Sequence, residues 1–491
     1  MASLPSYVAA AQPVPKNKRA PWYKTTAQTY AGIMLWFVFW VSVPIGAAYA
    51  PGSPYSKFAG GTLSQGLGVA FVGLVIAALI CHFLFYVVPG MLGMKTGLPL
   101  YIVGTSTYGV TGGFLMPGFL MGVLQFGWLG VNAFFSAQAL TEPLGYPPGS
   151  VVHSAVGIVW AVAAAFMGLK GIQYVAKVAT FLPLIPLVVL VVLFFSSFGG
   201  VGKFDSKKLA DTTQVSVTSV QDGTEKVETL KFEPPLSALA VIGLACTCIV
   251  GFFATAGAAG TDFGMNNRDA KDVQLGGLVG IAGATIFAGG MALLIVAGAH
   301  GLGKAPDGAN LGATAMMASI MGSKTVGAVM MYLLAIAAFP PACFSSFIAA
   351  NSFKTTLPKV NPFISCGIGT LASIALVVSQ AAGNASDVFT VIGASFGPVC
   401  GAMAADYLLA GRKWAGPRGG FNPAGWISWI VGFAVGAYNL VAGKVPALAN
   451  LHIEVPVAPV SAFIVGFVLY IILAKLGLES AKIEHPAVKM Q

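Results

Sequence analysis

Long runs of apolar residues, each closed by glycine, proline or a short charged loop, recur along the whole chain. Twelve can be drawn, at roughly 29–49, 65–92, 112–140, 149–169, 172–198, 236–259, 273–300, 325–352, 362–383, 386–410, 421–442 and 457–476. Each is near or above the ~20 residues that carry an α-helix across a bilayer. A membrane β-barrel would instead show ~10-residue segments of alternating polarity. The pattern predicts an all-α polytopic membrane protein with twelve transmembrane helices.

Composition agrees. Hydrophobic residues make up 56% of the 491 and charged residues only 9%, against about 25% charged in a soluble domain. The net charge of +10 would suggest nucleic acid only if the bases gathered in a patch or stripe on a soluble surface. They lie in short loops instead, so membrane lipids are expected as surroundings and nucleic acid is not. With the N-terminus inside, 17 of the 26 lysines and arginines fall on the inner side, and five of the remaining nine lie in the loop 199–235. Long loops weigh little in this bias. A cell-membrane protein with both termini cytoplasmic follows. Residues 1–28 carry Lys16, Lys18, Arg19 and Lys24 with no apolar core before Tyr30, which reads as a cytoplasmic tail and not a signal peptide. The six cysteines have no paired spacing, so no disulfide frame or metal site is indicated. No cofactor and no obligate protein partner is indicated either.

The loop 199–235 is the one extended polar segment between spans; its QVSVTSV run suits a short strand, and it reads as an external cap or linker before a binding module. It splits the first ten spans into two fives. The organisation expected is a repeat over 29–198, the loop 199–235, a second repeat over 236–410, peripheral helices over 411–476 and a cytoplasmic tail over 477–491. Spans 1 and 6 then correspond, and both are interrupted: span 1 by Pro44 and Gly46, span 6 by Gly251, Gly257 and Gly260 within VGFFATAGAAG. Glycine costs about 1 kcal/mol against alanine inside a helix. Irregular backbone at membrane depth survives only where protein buries it or a cavity needs it. Matching interrupted helices in two halves are the sequence mark of a transporter binding site. The other reading of span 6 alone is a small-residue face that packs a neighbouring helix.

Acids are nearly absent from the spans: Asp262, Asp387 and Asp406 lie near span ends, and His82 is the one mid-span histidine. A proton relay ordinarily uses such groups, so the pattern leans toward a cation held by carbonyls and hydroxyls and toward a nearly neutral substrate. In span 3, Gln125, Trp128 and Asn132 are spaced i,i+3 and i,i+4 and share one face. An indole between two amides suits a flat heteroaromatic ring, which stacks on one and bonds the others. The alternative is that the amides brace neighbouring helices. Span 8 offers Ser345, Ser346 and Asn351 beside Pro340 and Pro341. Such hydroxyls either bond back to the i−4 carbonyl or join a sodium shell. Asp406, just before Arg412 and Lys413, is expected to pair or to snorkel to the interface.

These stretches resemble the nucleobase–cation symporters, the group of cytosine permeases, purine permeases and hydantoin/allantoin transporters. The resemblance rests on KNKRAPWYKTTAQTYAG, GMKTGLP, QFGWLGVNAFF, GFFATAGAAGTDFGMNNRDAKD and GPVCGAMAADYLLAGRKW, which cover spans 1 to 10 in order. It implies a five-plus-five inverted repeat of the leucine-transporter kind plus two peripheral helices. It also implies that Trp128 stacks on the substrate ring, with Gln125 and Asn132 holding its polar edge and Phe253 covering its other face. Thr255 and Gly257 would supply backbone contacts, and Asn351 a substrate-side amide. A Na+ coupling ion would be held by Ala342, Ser345, Ser346 and the span-1 carbonyls near Val38 and Val41. Phe253 stands where hydantoin transporters tend to have tryptophan, which tilts toward a nucleobase, cytosine or a purine. The asparagine-rich span 8 of cytosine permeases is missing, which leaves hydantoin or allantoin as the alternative substrate; proton coupling through Asp262 or His82 is the alternative for the ion. A channel or a non-transporting sensor is the rival class; no nucleophile–base pair suggests an enzyme.

Overall fold

The structure, a computed structural model, describes residues 4–25, 61–170, 182, 184–211, 214–221, 224–231, 236–305, 313–357 and 359–489. Expected span 1, with Val38, Val41 and Pro44, and the first part of expected span 5 lie outside the described residues. Among the described residues ten helices are long and apolar enough to cross a membrane. In chain order we label the principal helices α1 (Gly66–Thr96), α2 (Phe114–Leu144), α3 (Val151–Lys170) and α4 (Leu184–Lys203). Then come α5 (Ala238–Ala258), the short α6 (Gly260–Gly264), α7 (Ala270–Gly301) and α8 (Lys324–Thr356). The last four are α9 (Pro362–Val378), α10 (Ala385–Leu409), α11 (Pro423–Ala442) and α12 (Ala458–Lys475). Helix α9 is apolar but shorter than a full span. Between α4 and α5, strand β1 (Gln214–Gln221) pairs antiparallel with β2 (Thr224–Lys231), so the QVSVTSV run does form a strand.

The helices start where side chains can satisfy their free N–H groups. The Ser237 hydroxyl accepts the Ala240 N–H at α5, the Ser323 hydroxyl the Val326 N–H at α8, and Asn361 the Phe363 N–H at α9. Proline at the first or second position opens α9 and α11, where the missing N–H is no loss. Three helices are not regular. Wider i→i+5 turns occupy Cys81–Tyr86 in α1, Phe114–Phe119 in α2 and Gly276–Gly283 in α7. In α2 the backbone leaves helical geometry at Met116 (φ −131°, ψ 111°), just before Pro117. By contrast, α8 runs unbroken through Pro340 and Pro341.

The interruption expected around Gly251–Gly260 is smaller than the glycine count suggested. Helix α5 continues through Ala258, and α6 begins at Gly260 after a break at Ala259. The small residues serve close packing against α1. A Cβ added to Gly257 would lie 2.7 Å from the Phe85 Cβ, and one on Gly264 would lie 2.1 Å from the Gly90 carbonyl oxygen. Both positions therefore admit no side chain. The packing reading accounts for these glycines, and the break is confined to a single residue between them.

At the end of the bundle that carries both termini, residues 4–25 form a strap. The Arg19 guanidinium donates to the Met94 carbonyl (2.5 Å) at the end of α1, the Ala20 N–H to the Asn266 carbonyl (2.8 Å), and the Trp22 N–H to Asp272 (3.2 Å) at the start of α7. Farther back, the Tyr7 hydroxyl donates to the Val110 carbonyl, and Val8 is fully buried. Behind the strap, Arg418 pairs with Asp406 of α10 (3.0 Å) and with Glu479 of the C-terminal segment (2.6 Å). Ser106 and Thr107 donate to the same Asp406 carboxylate at 2.6 and 3.1 Å. Asp406 thus pairs; it does not snorkel. Burial pushes the Arg418 pKa down, but Asp406 and its acidic neighbours outweigh that and hold it above the ordinary arginine value.

Candidate functional site

Three helices meet around Trp128. On α2, the indole is buried and its N–H donates to the Thr255 hydroxyl of α5 at 3.1 Å. Phe252, one turn before Thr255 on the same face, meets the indole edge-on at 4.9 Å and 87°. Phe389 of α10 lies against it at 5.2 Å with a 31° tilt, and the two phenylalanines cross at 5.6 Å and 88°. The result is an apolar, aromatic-walled centre with one polar crosslink, and its ring separations are those of favourable aromatic pairs.

Gln125 lies one turn before Trp128, is buried, and donates to the Met121 thioether at 3.5 Å. Sulfur is a weak acceptor, so this amide retains most of its bonding capacity beside the aromatic centre. Asn132, one turn after Trp128, is placed differently. It donates to the Ala338 carbonyl of α8 (2.9 Å) and accepts from Trp160 of α3 (3.0 Å) and Ser136 (3.3 Å). It braces three helices. Phe253 is buried, but it points around α5 toward Gly257 and α1, 3.2 Å from a Cβ added at that glycine. Phe252 is the residue that reaches Trp128. The Thr255 carbonyl accepts the Ala259 N–H at 2.9 Å and so stays inside the helix.

On α8, Ala342 is buried and the Ser345 hydroxyl bonds back to the Pro341 carbonyl at 3.3 Å. Ser346 is fully buried, and its hydroxyl has no hydrogen-bond partner among the described residues. Helix α3 approaches it through Gly168, whose added Cβ would lie 2.9 Å from the Ser346 Cβ. Asn351 is not brought to Trp128; it is exposed and lines a cavity with Lys170 and Lys354 at the helix ends. His82 is buried in the wide turn of α1, 4.5 Å from the Phe83 ring, and its Nδ1 has no partner among the described residues. Beyond α5, the Asp262 carboxylate accepts the Leu100 N–H at 3.0 Å. Burial raises its pKa to about 6, against a smaller lowering by that bond.

Two aromatic walls were not anticipated. Phe252 was open to detection through its i,i+3 spacing to Thr255. Phe389 carried no local signal, since it belongs to a helix 261 positions away in sequence from Trp128.

A bundle of apolar helices around a buried aromatic centre, with interrupted helices beside it, has the build of a polytopic membrane transporter. The family model described as "Permease for cytosine/purines, uracil, thiamine, allantoin" matches residues 23–455. The chain belongs to this family, the nucleobase–cation symporters, and is a permease and not an enzyme. Cytosine permease of Escherichia coli is 25% identical over 423 residues, covering 85% of this chain and 87% of that relative. The inward-facing conformation of Mhp1 superposes with a TM-score of 0.61 at 15% identity, covering 98% of this chain and 96% of Mhp1. A closed conformation of Mhp1, a nucleobase–cation–symport-1 family transporter with bromovinylhydantoin bound, gives 0.58 at 15% identity over 94% and 95%. A Na+-coupled sialic acid symporter gives 0.54 at 14% identity over 96% and 92%. At these identities the structural likeness establishes the fold, which is that of the leucine transporter.

Proposed function

We propose that this chain imports a nucleobase, cytosine or a purine, by symport with sodium. The observation that carries the reading is the centre itself: a buried indole and two phenylalanines, with an under-used amide one turn away. A planar ring of alternating donors and acceptors matches that chemistry, because the indole stacks on its face and the Gln125 amide bonds its edge. Phe389 now covers the indole, so entry of a ring requires α10 and α2 to part there. Asn132 contributes by fixing α2 against α3 and α8. The family and the Escherichia coli relative support a nucleobase; the Mhp1 complex supports a hydantoin as the second reading.

For the ion, the neutral oxygens of Ala342, Ser345 and Ser346 would combine with carbonyls near Val38 and Val41. The unpartnered Ser346 hydroxyl supports this, since a buried polar group without a partner costs about 1–3 kcal/mol and a cation would satisfy it. Substrate and ion that favour the same state then tighten one another. The proposed layout is a repeat over 29–198, a second over 236–410, an external loop 199–235, peripheral helices over 411–476 and cytoplasmic tails, in the cell membrane.

The test is an uptake panel in proteoliposomes covering cytosine, purines, hydantoin and allantoin, with sodium replaced by choline at two pH values. Saturable, sodium-stimulated nucleobase uptake is expected. Trp128→Ala should weaken binding by roughly 1–3 kcal/mol, and Gln125→Ala should shift selectivity among rings, because a site built to bond a group rejects analogues that lack it. Uptake of none of these compounds refutes the substrate reading; indifference to sodium with strong pH dependence replaces it with proton coupling.

A further inference from the structure

Helices α3 and α8 end, and α9 begins, around a cavity of about 270 Å³ lined by Leu169, Lys170, Phe347, Asn351, Lys354 and Phe363 among others. We propose that this cavity binds the phosphate of an anionic phospholipid headgroup. Two ammonium groups line it, and no carboxylate does among the described residues. Neither lysine takes part in an ion pair among the described residues. Lys170 is held at the rim by the Phe363 ring, its Nζ 5.0 Å from the ring centroid. Two uncompensated cations around one hollow repel, and an anion between them reverses that sign.

The position selects lipid over free phosphate. Helices alternate in direction from the strap at the end of α1, so the ends of α3 and α8 lie on the strap's side of the bundle, where the chain leaves the apolar layer. Directly beyond the cavity the outer surface is hydrophobic: Phe166 on α3 is 57% exposed, and Ile364 and Ile368 on α9 are 58% and 65% exposed. Acyl chains can follow these side chains while the phosphate sits between Lys170 and Lys354. Basic pockets between transmembrane helices recognise headgroups through this combination. Asn351, one to two turns beyond Ser345 and Ser346 on α8, places this ligand on the helix proposed to hold the ion.

The full-length protein, delipidated in detergent, is titrated with phosphatidylglycerol or phosphatidylcholine and followed by native mass spectrometry and thermal melting. Phosphatidylglycerol should form a discrete adduct and raise the melting temperature, and phosphatidylcholine should not. Each lysine removed should weaken the adduct roughly fivefold, and Lys170→Gln with Lys354→Gln roughly 25-fold, while Lys475→Gln at the end of α12 leaves it unchanged. Where the double variant does not fold, Lys354→Gln against Lys354→Arg carries the test, with the roughly fivefold loss expected for glutamine and not for arginine. Undiminished phosphatidylglycerol binding by the glutamine variants overturns the proposal. Stabilisation by inorganic phosphate alone, equal to that by lipid, overturns the lipid assignment.

Discussion

The hydrogen bond from the Trp128 indole to the Thr255 hydroxyl, 3.1 Å long and buried, joins α2 to α5 at the centre of the molecule, and Thr255→Val tests its weight. Valine keeps the shape and removes the acceptor. Interhelical hydrogen bonds in membrane proteins average about 0.6 kcal/mol in double-mutant cycles and reach about 1.7. Here the loss should lie toward the upper figure, because the indole N–H would be left buried among Phe252 and Phe389, neither of which offers an acceptor. Trp128→Phe provides the second arm, since it keeps an aromatic ring against both phenylalanines and removes the donor. In the Trp128→Phe background, Thr255→Val should then be nearly neutral. The assay is a four-corner cycle of unfolding free energies in mixed detergent, with a coupling of roughly 1–1.7 kcal/mol expected. Equal effects of Thr255→Val in both backgrounds would show that the two side chains act independently and would refute the crosslink.

Ser345→Ala combined with Ser346→Ala should abolish sodium-stimulated substrate binding while leaving a weak sodium-independent component, read by equilibrium binding in sodium against choline. Arg418→Met strands the buried Asp406 carboxylate and should lower stability by roughly 3–5 kcal/mol, with Asp406→Asn in the same chain restoring part of it; a parental melting curve for Arg418→Met would contradict the buried pair. Asp262 has a folded pKa raised from 3.8 to about 6, so the folded state holds the extra proton between those values. Its contribution to stability is full below the lower value and is lost as pH rises through the upper one. Melting curves from pH 4.5 to 7 should show that decline in the parent and a shallower one in Asp262→Asn, whose side-chain oxygen still accepts the Leu100 N–H.

The helical runs, the strand in the loop and the family were legible because each depends on local composition or motif; for Asp406 pairing and snorkelling were both open, and its partner Arg418 is set by the fold. Facing was less legible. A helix apolar all round carries no signal for which side turns inward: Phe252 meets Trp128, while Phe253, about 100° around the same helix, faces Gly257. Asn132 shares a face with Trp128, as its spacing required, yet the Ala338 carbonyl and the Trp160 indole occupy its amide. Those partners come from α8 and α3 and are set by packing. Glycine content overstated the break in α5 because glycine serves close approach as well as irregular backbone, and composition does not separate the two.

The strap of residues 4–25 has a consequence for biogenesis. Its contacts fall at Met94, Val110, Asn266 and Asp272, and Val8 bonds through its backbone to His485. In chain order the strap precedes every one of those partners, so during synthesis it emerges before any of them exists. It must wait beside the ribosome while the bundle inserts span by span, and it docks fully only after the segment around His485 has been made. A segment made before every one of its partners is thus fixed only after them, and its docking closes over helices already in place.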